Sequence, residues 1–95
     1  MTHDTIGAIL GDVPSVRREG DTFVLPAEAE ATVYVGTPGN LLNVDKVGRV
    51  DLAKGYLVLE TSKRERFYFD YADIIGLKLD LPEPGRVGRG TGFSR

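Results

Sequence analysis

The chain has 95 residues, enough for one domain with a single core and too few for two. Its apolar runs fall far short of the roughly 18 residues that cross a bilayer as a helix, and a net charge of −2 gives no general attraction for nucleic acid or anionic membrane. Cysteine is absent, which excludes a disulfide framework and thiolate chemistry; a small chain without such staples is expected in the cytoplasm.

The opening MTHDTIGAILGDVPS lacks a basic n-region and carries Asp4 and Asp12 around a short apolar patch, unlike a signal peptide. Thr2 to Leu10 reads as a short helix. Thr2 or Asp4 can cap it, Ile6, Ile9 and Leu10 share a face, and Gly11 can end it, although Gly7 weakens its middle. SVRREGDTFVLP then places two short runs around Glu19-Gly20-Asp21, a hairpin turn, and Pro26 ends the second run.

Glu30 to Gly36 alternates as a strand, with Val33 and Val35 on one face and Thr32 and Tyr34 on the other. GTPGN, residues 36–40, is a turn cluster, and the LLNVDKV that follows has neither a strand nor a helix period. From Gly48 the pattern sharpens. GRVDLA alternates, Lys54-Gly55 turns the chain, YLVLET is apolar on both faces, Ser62-Lys63-Arg64 turns it again, and ERFYFDY returns. The last run, IIGLKLDL, is expected to point Ile75, Leu77, Leu79 and Leu81 inward and Ile74, Gly76, Lys78 and Asp80 outward.

These elements predict an all-β fold: a small antiparallel β-barrel or strongly curved sheet of about six short strands, ending in a four-strand meander and preceded by a short helix. Gly48, Gly55 and Gly76 are the expected bends or bulges. Residues 1–81 form the domain (helix in 1–11, strands in 12–81), and residues 82–95, rich in Gly and Arg, are expected to be a flexible tail.

Catalytic chemistry has little to work with. The single histidine is His3, near the chain start, and Ser15, Ser62 and Ser94 have no base at a motif spacing. Asp70, Asp73 and Asp80 do not match a calcium loop, GTPGN lacks the Lys-Ser/Thr pair of a phosphate loop, and no helix follows GRVGRGTG. The expectation is a protein that is not an enzyme, with no catalytic, metal-binding or cofactor-binding residues.

The aromatic stretch RERFYFDY carries the functional question. In a strand, Phe67, Phe69 and Tyr71 share a face suited to the core, with the Tyr71 hydroxyl at the rim, while Arg66, Tyr68 and Asp70 share the other. The neighbouring strand can set Tyr56 or Val58 beside Tyr68, making the Tyr/Arg type of surface enriched at protein interfaces. Leu41 and Leu42 cannot both point inward from an extended segment, so one is exposed or covers a barrel end. Arg66, Tyr68, Tyr56, Leu41 and Leu42 are therefore the candidate partner-binding residues.

Charge is uneven. Residues 1–30 are mostly acidic, whereas residues 46–66 hold Lys46, Arg49, Lys54, Lys63, Arg64 and Arg66 against Asp51, Glu60 and Glu65.

Residues 48–81 resemble the strand-rich half of bacterial PH-like or GRAM-like modules, through Gly55-Tyr56-Leu57-Val58-Leu59 and Tyr71-Ala72-Asp73-Ile74-Ile75-Gly76-Leu77. The same segment is similar to SH3-like and Sm-like barrels, a resemblance that implies a short 3₁₀ turn at Tyr71-Ala72-Asp73 before the last strand. The leading expectation is a non-catalytic protein–protein interaction or scaffold module, a subunit or adaptor of a larger assembly or a homo-oligomer. A nucleic-acid-binding barrel using residues 46–66 is the first alternative. A PH-like module for anionic lipid or a small ligand is the second, with peripheral membrane binding the less expected of its forms.

Overall fold

The structure is a computed structural model and describes residues 1–80; the predicted tail, residues 82–95, lies outside the described residues, as does Leu81. One helix, α1 (His3–Gly11), precedes seven strands: β1 (Arg17–Glu19), β2 (Thr22–Val24), β3 (Glu30–Thr37), β4 (Asn40–Leu52), β5 (Leu57–Thr61), β6 (Arg66–Phe69) and β7 (Ile74–Asp80). A single 3₁₀ turn, η1 (Tyr71–Asp73), stands before β7 at the position the barrel resemblance implied. All the pairings are antiparallel, and the sheet curls into a half-barrel.

β4 organises the curl. Its first half pairs with β3, which pairs in turn with β7; its second half pairs with β2 on that same edge and with β5 on the other. LLNVDKV, which showed no period, is the first half of this thirteen-residue strand. Two irregularities hide its alternation. Lys46 sits at φ 58° where the register against β3 shifts, and a second shift against β5 falls at Gly48. Each inserts a residue, bends the strand and lets it leave one sheet for the other.

The core fills the concave side. Phe23, Val33, Val35, Val44, Val47, Val50, Leu52, Leu57, Leu59 and Ile74 are buried there, and Ile6 and Leu10 of α1 close over them. The helix is capped by the Thr2 hydroxyl, which accepts from the Thr5 amide at 3.1 Å, and its C-cap is Asp12, one residue beyond the expected Gly11. Gly7 has a packing role. A Cβ there would stand 3.3 Å from Leu52 Cδ1, so glycine lets the helix lie close on the end of β4.

The meander runs through β4, β5 and β6. β7 then leaves it and pairs with β3, so among the described residues β6 has one unpaired edge and the curl is open on that side. Phe67 and Phe69 line this opening. They stack with centroids 6.2 Å apart and are half-buried against the core, as are Leu77 and Leu79.

One inward assignment is overturned. Ile74 is buried at 1% exposure, whereas Ile75, expected in the core, is 58% exposed. Tyr34 pairs with Gly76 and Val35 with Ile74, which leaves Ile75 as the extra residue of a bulge. Beyond it Leu77 and Leu79 face inward as expected. This register has a measurable signature. In urea titrations, Ile74→Ala should cost about 2–5 kcal/mol of folding stability and Ile75→Ala less than about 1 kcal/mol.

Candidate functional site

The outer face of the β2–β4–β5–β6 sheet follows from register. One cross-strand row runs Val24, Arg49, Glu60, Arg66; the next runs Thr22, Asp51, Val58, Tyr68. Tyr56, just before β5 and two residues from Val58, stands one step further along the same face, its ring centroid 6.2 Å from that of Tyr68. The two tyrosines are 47% and 59% exposed. Val58 is buried at 8% exposure, yet it stands outside the core cluster, because it lies on this outer face directly opposite Tyr68. Three of the five candidate residues, Arg66, Tyr68 and Tyr56, are thus brought together.

Electrostatics set the character of this face. Arg66 is exposed, and its guanidinium is raised above its ordinary value by Tyr68 beside it first and then by the charges of Glu60 and Asp51. Arg49 lies across from Glu60 and reaches Asp51 at 3.5 Å, and Asp51 also accepts from the Thr22 hydroxyl. The first row therefore alternates base, acid, base, and Asp51, the one charge of the second row, lies beside Arg49.

Leu41 and Leu42 do not join this face. They stand on opposite sides of the other sheet, Leu41 outward beside Gly36 and Leu42 beside the inward Val35, with exposures of 65% and 47%.

Concavities lie elsewhere on the surface, one of about 350 Å³ between Pro26 and Lys46 among them. A cleft of about 280 Å³ opens between the first half of β4 and the β5–β6 hairpin, lined by Val44 and Phe67 among charged side chains. A shallower dish of about 530 Å³ lies near His3, Asp21, Lys54 and Tyr71. Within it, the Tyr71 hydroxyl donates to the Ala53 carbonyl at 2.6 Å, and His3 packs edge-on to the Tyr71 ring. The rim position expected for Tyr71 is therefore occupied, and its hydroxyl serves as a strut between η1 and the end of β4. Among the described residues, no group of three or more His, Asp or Glu side chains is arranged to hold a metal ion. No helix there is long and apolar enough to cross a membrane.

Comparisons of the chain with protein-family models, with curated proteins and with solved structures find no match.

Burial, and then the charge of Asp21, raises the Tyr71 phenol above its ordinary value near 10. A raised phenol adds stability that is fully present below the ordinary value and is lost as pH rises through the folded-state value. Tyr71→Phe should cost about 0.5–1.5 kcal/mol at neutral pH and remove that alkaline component, read as chemical unfolding midpoints between pH 7 and 11.

Proposed function

We propose that this protein is a non-catalytic protein-docking module whose working surface is the outer face of β5 and β6. The observation that carries the reading is the pair Tyr56 and Tyr68, two half-exposed rings flanking Val58 with the Arg66 guanidinium beside them. Tyrosine and arginine present large, rigid contact area at small entropic cost, and such pairs are enriched where partners bind. The face sits on a sheet backed by a packed core, so little needs to reorganise when a partner arrives. A fitting partner lays an apolar side chain over the two rings and offers a carboxylate to Arg66.

The alternation of charge weighs against the other readings. A nucleic acid or an anionic lipid surface is best held by adjacent positive charges, whereas here Arg49 and Arg66 are interleaved with Asp51 and Glu60. Lys46, Lys63 and Arg64 are exposed elsewhere, around the cleft and its hairpin.

Affinity capture with the tagged full chain tests the proposal. A partner should be retained by the unchanged protein and lost from both Tyr68→Ala and Arg66→Ala, with a Tm within about 2 °C of the parent in each case. Unfolding of both variants would make the patch structural. Retention of RNA or vesicles, falling steeply as salt rises, would favour the alternatives.

A further inference from the structure

The free backbone groups of β6 follow from its register. In an antiparallel ladder, opposed residues alternate between exchanging hydrogen bonds and turning those groups to the other side. The Thr61 amide donates to the Glu65 carbonyl at 2.9 Å, so that pair is bonded, and alternation makes Leu59–Phe67 and Leu57–Phe69 the next bonded pairs. The N–H and C=O groups of Arg66 and Tyr68 therefore point away from β5, along the edge that is unpaired among the described residues. Asp70, extended at ψ 141°, continues that edge before η1 begins.

Such an edge invites another strand, and other edges of the sheet are blunted against that. β1 is only Arg17, Arg18 and Glu19, all exposed, and β7 carries a bulge with Lys78 and Asp80 beyond it. β6 pairs without a register shift and holds three aromatic rings and one charge. That charge is uncommitted. Arg17, Arg49 and Lys78 reach carboxylates within 3.6 Å, whereas among the described residues Arg66 forms no ion pair. An antiparallel strand that suits this edge has apolar side chains opposite Phe69 and Phe67 and an acid opposite Arg66. Phe67-Tyr68-Phe69-Asp70 is itself that pattern.

We infer that the β6 edge docks the β6 edge of a second copy of this chain, the two strands pairing antiparallel about a two-fold axis level with Tyr68. The axis stands perpendicular to the sheet, so inner face continues inner face and outer continues outer. Each copy offers Asp70 to Arg66 of the other, Phe67 packs beside Phe69, and Tyr68 lies beside Tyr68, every contact off the axis being made twice. Sliding the strands breaks the match. An axis level with Arg66 sets the two guanidinium groups together, one level with Phe67 sets Glu65 against Phe69, and one level with Phe69 runs Arg66 into the η1 turn. Edge pairing draws its affinity from main-chain hydrogen bonds more than from area, which suits a reversible dimer. The dimer is separate from docking on the outer face. That face stays open, with the Tyr56–Tyr68 pair of each copy on it, and Arg66 keeps donors for a second carboxylate.

Sedimentation velocity of the full chain from about 1 to 500 µM should show mass rising from one chain toward two. At the top of that range the Arg66 and Tyr68 amides should exchange about fivefold more slowly than at the bottom. Arg66→Asp and Asp70→Lys should each weaken dimerisation roughly tenfold, because like charges then face each other twice. Their mixture should recover dimers, since every Asp again faces a base. Asp70 also caps η1 by accepting from the Ala72 amide at 3.2 Å, so Asp70→Asn, which keeps an acceptor there, is measured beside it and should weaken the dimer about threefold. A parent monomeric at every concentration, a dimer whose Arg66 and Tyr68 amides stay open, or a mixture no tighter than its components overturns the proposal. A monomeric chain whose two amides are protected only by a captured partner gives the edge to that partner instead, and the outer-face reading then stands without the dimer. Amide exchange uses the unchanged chain, so it decides the matter even if Asp70→Lys fails to fold.

Discussion

A strand of thirteen residues extends roughly 43 Å, too far for one face of so small a domain, and the fold depends on how β4 spends that length. The left-handed backbone at Lys46 and the register shift at Gly48 bend it between two sheets, so one segment supplies ladders to β3, β2 and β5. Everything concave follows from that bend. Val44 and Val47 on one arm and Val50 and Leu52 on the other converge on a shared interior, which Ile6 and Leu10 then close. Everything convex follows as well, because the bend separates the outer surface into a Tyr/Arg face and an apolar face that point in different directions.

The two faces divide the chemistry between them. On β5 and β6 the exposed side chains are amphipathic, and Glu60 stands between Arg49 and Arg66. On β3, β4 and β7 the glycines make room for neighbouring side chains, Gly36 for Ile75 and Gly76 for Tyr34, and Asp45 lies on one edge with the Lys78–Asp80 pair on the other.

Local patterns made much of this legible. Alternation put Val33 and Val35 on one face and Tyr34 on the other, the faces that turn out inward and outward, and Gly20 marked a turn that has φ 65°. The apolar run of β5 is covered by the core on its inner face alone; on its outer face Val58 is buried beside the exposed Tyr56 and Tyr68. Arg66, Tyr68 and Tyr56 were found because a strand's period of two, read across one hairpin, is enough to group them. The failures share one cause. Bulges at Lys46, Gly48 and Ile75 arise from pairing with strands distant in the chain, and each shifts the period by one residue. LLNVDKV thus lost its strand pattern, and Ile74 and Ile75 exchanged faces. The pairing of β7 with β3 has no local signature.

The open side of the curl gives the molecule an order of disassembly. Among the described residues β6 is bonded to β5 alone and its two stacked rings are only half-covered, whereas the second half of β4 is bonded along both edges. Amide protons of β6 and η1 should therefore exchange with solvent through small openings, and those of β5 and the second half of β4 only through global unfolding. The Tyr71 strut sets the limit of that breathing, since it fastens the segment after β6 to the far end of β4. The Tyr/Arg face straddles this boundary, with Tyr56 and Val58 at the slowly exchanging strand and Arg66 and Tyr68 on the one that opens first.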